Sequence, residues 1–148
     1  ISDDATHIMR GRTDYTVIGR PYRIRFRESA RLLFPELNSF TPALRPSGKM
    51  DFEIATADLD IPTALEARAT HVVFLHRTSR SKMSRLRTAP PDRALRELEQ
   101  VICFGDERCR TSQRNALTQF VTLPAVDLEY ADLDAAEDML RRLVTHGL

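Results

Sequence analysis

The sequence predicts an α/β fold, a mixed sheet with flanking helices, and three stretches carry that prediction. His71-Val72-Val73-Phe74-Leu75 is an unbroken apolar run, as expected of a strand covered on both faces. Downstream, Ala94, Leu95, Leu98, Val101 and Ile102 fall on one helical face. A short alternating segment, Val126, Leu128 and Tyr130, leads into a second one-sided helix.

The first third reads as β-rich and broken by turns. Arg10-Gly11-Arg12 marks a turn, and Tyr15-Thr16-Val17-Ile18 a short strand that Gly19 ends. Tyr22, Ile24 and Phe26 then alternate with Arg23, Arg25 and Arg27, which gives a strand with one apolar and one basic face. The arginines are a solvated face or a basic ledge for phosphate or an acidic partner. Glu28 to Leu37 suggests a short helix with Leu32, Leu33 and Leu37 inward, limited by Pro35. Pro42, Pro46 and Gly48 mark a loop, Met50 to Ile54 a strand, and Asp58 to Pro62 a turn.

After the apolar strand, Thr78 to Arg85 has no apolar period and reads as an exposed, mobile loop, with Leu86 packing as the chain returns. Pro91-Asp92 opens the first long helix, and Gly105 ends it. A second helix runs from Thr111 to Leu123, with Ala116, Leu117, Phe120 and Val121 inward and Pro124 as its stop. The strand at Val126 to Tyr130 turns Asp127 and Glu129 to its polar side. Asp132-Leu133-Asp134 caps a last helix that uses Ala136, Met139, Leu140, Leu143 and Val144. The whole reads as one partial domain: β-rich over 1–77, a mobile loop over 78–89, and mainly helical over 90–148.

Composition narrows the function classes. The 22 basic and 21 acidic side chains nearly cancel, which argues against a dedicated nucleic-acid binder. No apolar run approaches a membrane span. Cys103 and Cys109 match no common zinc spacing and are too few for a disulfide framework. They read as a buried and a surface thiol in a reducing cytoplasm. The chain opens on Ile1-Ser2-Asp3-Asp4, an apolar residue running into paired carboxylates. This looks like the end of a strand whose start lies upstream, and so predicts the C-terminal part of a larger protein. On its own an Asp pair is weak evidence, because such dipeptides mostly sit in solvated turns or cap helices.

Four segments in order carry a family resemblance: Ile1-Ser2-Asp3-Asp4; Gly19-Arg20-Pro21-Tyr22-Arg23-Ile24-Arg25; His71 to Arg77 with its polar loop, Leu86 and Pro90-Pro91-Asp92-Arg93-Ala94-Leu95; and Leu128-Glu129-Tyr130-Ala131-Asp132-Leu133-Asp134-Ala135-Ala136. Together they resemble the C-terminal half of HPr serine kinase-like proteins, a P-loop branch near phosphoenolpyruvate carboxykinase. The chain departs from a complete member because G-x-x-x-x-G-K-[ST] occurs nowhere in it. The resemblance therefore implies an incomplete P-loop kinase-like domain lacking its phosphate-loop half, and inactive without that half.

The resemblance also implies ATP and Mg2+ as cofactors, and a serine of a protein or peptide as acceptor. Asp3 would be the general base and Asp4 the magnesium partner, since hard magnesium takes carboxylate oxygen. Arg77 stands just past the carboxyl end of the apolar strand, where ligands of open α/β sheets bind. It would hold a phosphate oxygen or orient an Asp, or it is a solvated loop arginine. The implied partners are the upstream P-loop half and the acceptor, with neither nucleic acid nor membrane among them and oligomerisation left open. The competing expectation is a non-catalytic interaction or regulatory module whose Asp pair is only a cap.

Overall fold

The computed structural model describes residues 6–9, 15–79, 83–102 and 105–147. Asp3 and Asp4, the turn at residues 10–12, Cys103 and the middle of the basic loop lie outside the described residues. The chain forms two compact units, Ile1–Arg68 and Ala69–Leu148, where the sequence had suggested a single partial domain.

The first unit is β-rich, as expected. Strands β1 (His7–Ile8) and β2 (Thr16–Ile18) pair antiparallel. In the other sheet β3 (Arg23–Arg27) and β4 (Ala43–Leu44) flank β5 (Met50–Ala55). A last strand, β6 (Glu66–Arg68), returns to pair with β2. The predicted alternation on β3 holds: Ile24 and Phe26 are half-buried and the three arginines are exposed. Phe26 lies opposite Phe52 and Ile24 opposite Ile54, which sets the register of a small core with Leu37. Between β4 and β5 the chain reverses at Gly48, whose φ of 75° favours glycine.

The helix expected over residues 28–37 is instead two 3₁₀ helices, Glu28–Leu32 and Pro35–Ser39. Pro35 lacks an N–H and forces Phe34 out of helical geometry, so the turn cannot propagate. Only Leu37 is then directed inward, and Leu32 is 87% exposed. The guanidinium of Arg31 lies 4.7 Å from the centre of the Phe52 ring and donates to the Phe40 carbonyl at 3.0 Å, roofing the core with a cation–π contact.

The second unit is α/β. Its sheet has the order β7-β9-β8, from β7 (Val72–Arg77), β8 (Arg85–Thr88) and β9 (Ala125–Tyr130). The strand pair β7–β9 is parallel and β8–β9 antiparallel, so the sheet is mixed. The helices are α1 (Pro91–Ile102), α2 (Glu107–Phe120) and α3 (Leu133–His146). Asp106 and Asp132 cap α2 and α3 by accepting from the Cys109 and Ala135 backbone N–H groups. The expected role of Asp132 is thus met, while α2 starts four residues before the expected Thr111.

Two expectations change here. The apolar run at Val72–Leu75 is a strand, but among the described residues it pairs only with β9 and forms an edge of the sheet. Leu75 is 59% exposed. The interior strand is β9, whose first four residues are buried. Its polar Asp127 hid this in the sequence, because a carboxylate can be buried when it is paired. Within the span expected to be loop, Arg85–Thr88 is ordered as β8 because β9 offers it a hydrogen-bonding edge.

Alternation along the strands assigns the two faces. Val72, Phe74 and His76 share a face with Asp127, and α1 covers it: Ala94, Leu95 and Leu98 pack with Val72 and Phe74. The opposite face carries the fully buried Val126 and Leu128. Helix α3 packs on β9 and contributes buried Ala136 and Leu143. Val144, expected inward, is exposed.

Candidate functional site

The α/β unit positions its polar side chains by the parallel pairing of β7 with β9. Both strands end at the same edge, with Arg77 opposite Tyr130, and the Thr78 N–H closes the pair on the Tyr130 carbonyl at 2.8 Å. Such carboxyl edges are where open α/β sheets bind ligands. Arg77 is exposed there, and no ion pair involves it among the described residues. It is the last residue of β7, where the sequence had suggested a position just past the end of the strand. Asp3 and Asp4 fall outside the described residues, so their position relative to Arg77 is not part of the description.

Beneath this edge lies a cluster the sequence did not reveal. Asp127 is 7% exposed at the centre of β9. Its Oδ1 accepts from His76 Nε2 at 2.9 Å and from an Arg93 guanidinium nitrogen. Arg93 also donates from Nε to Glu97 at 2.8 Å, one turn along α1. Burial pushes the Asp127 carboxyl upward, but the bonds from His76 and Arg93 outweigh it and hold the group below the usual carboxylate range. The same contacts, first to Asp127 and then to Glu97, raise Arg93.

An ionised carboxylate only accepts, so the His76 ring nitrogen facing it must carry hydrogen. The neutral ring then offers Nδ1 as its acceptor. Asp127 therefore fixes the orientation of a half-exposed imidazole next to Arg77 in sequence and at the same edge of the sheet. On β8, Arg85 lies opposite Glu129 near that end of the sheet and Arg87 opposite Asp127 at mid-strand, and both are exposed.

No sequence signal marks this cluster. His76 and Asp127 are 51 positions apart, and Arg93 and Asp127 are 34 apart. The one available hint is a carboxylate between Val126 and Leu128 in a strand otherwise fit for burial. Glu129, expected to be solvated, is half-buried. His7 is exposed on β1.

The basic ledge on β3 has its own carboxylates. Arg23 pairs with Glu53 at 2.8 Å, and Arg45 reaches both Asp51 and Glu53 at 2.5 Å. The bonds from Arg23 and Arg45 hold Glu53 below its ordinary range. This favours a solvated, self-neutralised face over an anion site.

Among the described residues, no group of three or more His, Cys, Asp or Glu side chains could hold a metal ion. Cys109 is a free, exposed thiol. Among the described residues no helix is long and apolar enough to cross a membrane. No protein-family model, no curated protein and no solved structure matches the chain.

Proposed function

We propose that this chain is the C-terminal portion of an ATP- and magnesium-dependent kinase of the HPr serine kinase-like kind, acting on a hydroxyl group. A serine of a protein or peptide is the acceptor. The observation that carries this reading is Arg77, exposed and without an ion pair among the described residues, at the shared carboxyl edge of the parallel β7–β9 pair. The resemblance of four segments in order supports it from the sequence side.

When bound, ATP and magnesium supply the γ-phosphoryl group and neutralise part of its charge. The chain's own residues then divide the remaining work. Arg77 binds a phosphate oxygen through its planar fork of donors. Asp3 accepts the proton of the attacking hydroxyl. Asp4 supplies carboxylate oxygen to the metal. The G-x-x-x-x-G-K-[ST] loop, absent from these 148 residues, would come from an upstream segment.

The test is phosphotransfer by the protein together with its upstream segment, with nucleotide affinity measured separately. Asp3→Asn should lower turnover by about 10²–10⁴-fold while leaving nucleotide binding nearly intact. Asp4→Asn should raise the magnesium concentration needed for activity. Arg77→Ala should give an intermediate loss. Unchanged rates in both Asp variants would refute the kinase reading.

A second reading has one observation of its own. Leu32, Leu33 and Phe34 are exposed together in the β-rich unit, which suits a module that binds a partner protein. Under that reading wild-type protein transfers no phosphate, and the double variant Leu32→Ser with Leu33→Ser loses its partner.

A further inference from the structure

A concavity lined by charged and amide side chains lies in the α/β unit, independent of the phosphotransfer reading. It is a cleft of about 290 Å³ lined by Arg96, Glu99, Gln100, Arg110 and Arg114. Helical period assembles it: residues 96, 99 and 100 share one face of α1, and 110 and 114 lie one turn apart on α2. Arg114 Nε donates to Glu99 at 2.9 Å, which leaves the terminal nitrogens of that guanidinium for another acceptor. Asp92 holds Arg96 at 3.0 Å. Arg110 is exposed and enters no ion pair among the described residues.

Arg110 and Arg114 are like charges at i,i+4, an unfavourable spacing on a helix. Arg110 also lies near the start of α2, where the helix dipole disfavours a cation. The lining carries three guanidinium groups against one carboxylate. A bound anion would relieve both conflicts.

We propose that this cleft binds a compact anion bearing two linked phosphoryl groups. Guanidinium forks match pairs of phosphate oxygens, and the Gln100 amide adds a neutral donor. Among the described residues the lining holds no aromatic or aliphatic side chain to anchor an apolar peptide side chain. Arg110 and Arg114 are the principal ligands, and Glu99 is a positioning residue that sets the plane of Arg114.

The probe is inorganic pyrophosphate, titrated calorimetrically into the full chain at low salt. Arg110→Gln should weaken binding by at least about tenfold, the loss of one charge-assisted hydrogen-bonding group. Arg114→Gln should do the same, and added sodium chloride should weaken the wild type. Arg141→Gln on α3, where Arg141 pairs with Glu137, should leave binding unchanged. Among the described residues Arg110 enters no ion pair, so Arg110→Gln decides the matter even if Arg114→Gln loosens the helix pair.

Absence of pyrophosphate binding at millimolar concentration would overturn the proposal. So would an Arg141→Gln effect equal to that of Arg110→Gln, which would mark diffuse attraction. Equal affinity for orthophosphate would overturn the two-phosphoryl assignment, and tighter binding of citrate would overturn the phosphate class.

Discussion

Replacing Asp127 by Ala removes the acceptor that ties β7, β9 and α1 together. Two charge-assisted hydrogen bonds, each worth about 1.5–3 kcal/mol, would be lost. Part of this returns, because the side chains of His76 and Arg93 are 45% and 38% exposed and can rehydrate. Release of a buried carboxylate from its desolvation offsets a further part. The expected net cost is about 2–3 kcal/mol. With a urea m-value of about 1.5 kcal/mol/M, the midpoint should fall by about 1.3–2 M. Among the described residues all α-helices belong to the second unit, so far-UV circular dichroism reads the relevant transition. The pH dependence follows from the lowered carboxyl pKa. The ionised group's contribution is complete above its unfolded value of about 3.9, and is lost as pH falls through the lower folded value. The gap between wild type and Asp127→Asn should therefore be constant near neutrality and narrow below about pH 4. A midpoint shift under about 0.3 M for Asp127→Ala, or a gap unchanged down to pH 3, would refute the reasoning.

Two further outcomes test the packing. Leu128→Ala in the interior strand should cost about 2–5 kcal/mol, whereas Leu75→Ala on the edge strand should cost about 0.5 kcal/mol or less; equal losses in urea titrations would contradict the sheet order. Asp132→Ala should remove the cap of α3 at a cost of about 1 kcal/mol, read as a lower melting temperature, while Asp132→Ser should recover most of it.

What could be read from the sequence was local. The Asp132 cap, the alternation on β3 and the inward Ala94, Ala136 and Leu143 depend on neighbours within a few residues, and these have their expected form, whereas Val144 does not. The order of the strands is a long-range property. An unbroken apolar run signals a strand but not its place in the sheet, so Val72–Leu75 seemed interior and β9 seemed one-sided. The 3₁₀ pair around Pro35 illustrates the opposite limit. Proline visibly weakened the helix there, but the exposure of Leu32 and Leu33 depends on how far the turn propagates. Of the site, the sequence located Arg77 at a strand end. It could not locate Asp127, because His76 and Arg93 reach that carboxylate only after β9 enters the sheet.

The central position of β9 has a consequence for how the chain acquires its structure. Both neighbours of β9 precede it in the sequence, and they do not pair with each other. Until residues 125–130 exist, β7 and β8 have no common ladder, and α1 has no completed sheet beneath it. On the ribosome the sheet must therefore form in one late step, after both helices of the crossover have been made. Closing contacts 51 and 34 positions apart is slow relative to forming α1 or α2. A nascent chain ending before Ala125 would hold its helices beside unpaired strands and would be a natural target for chaperones.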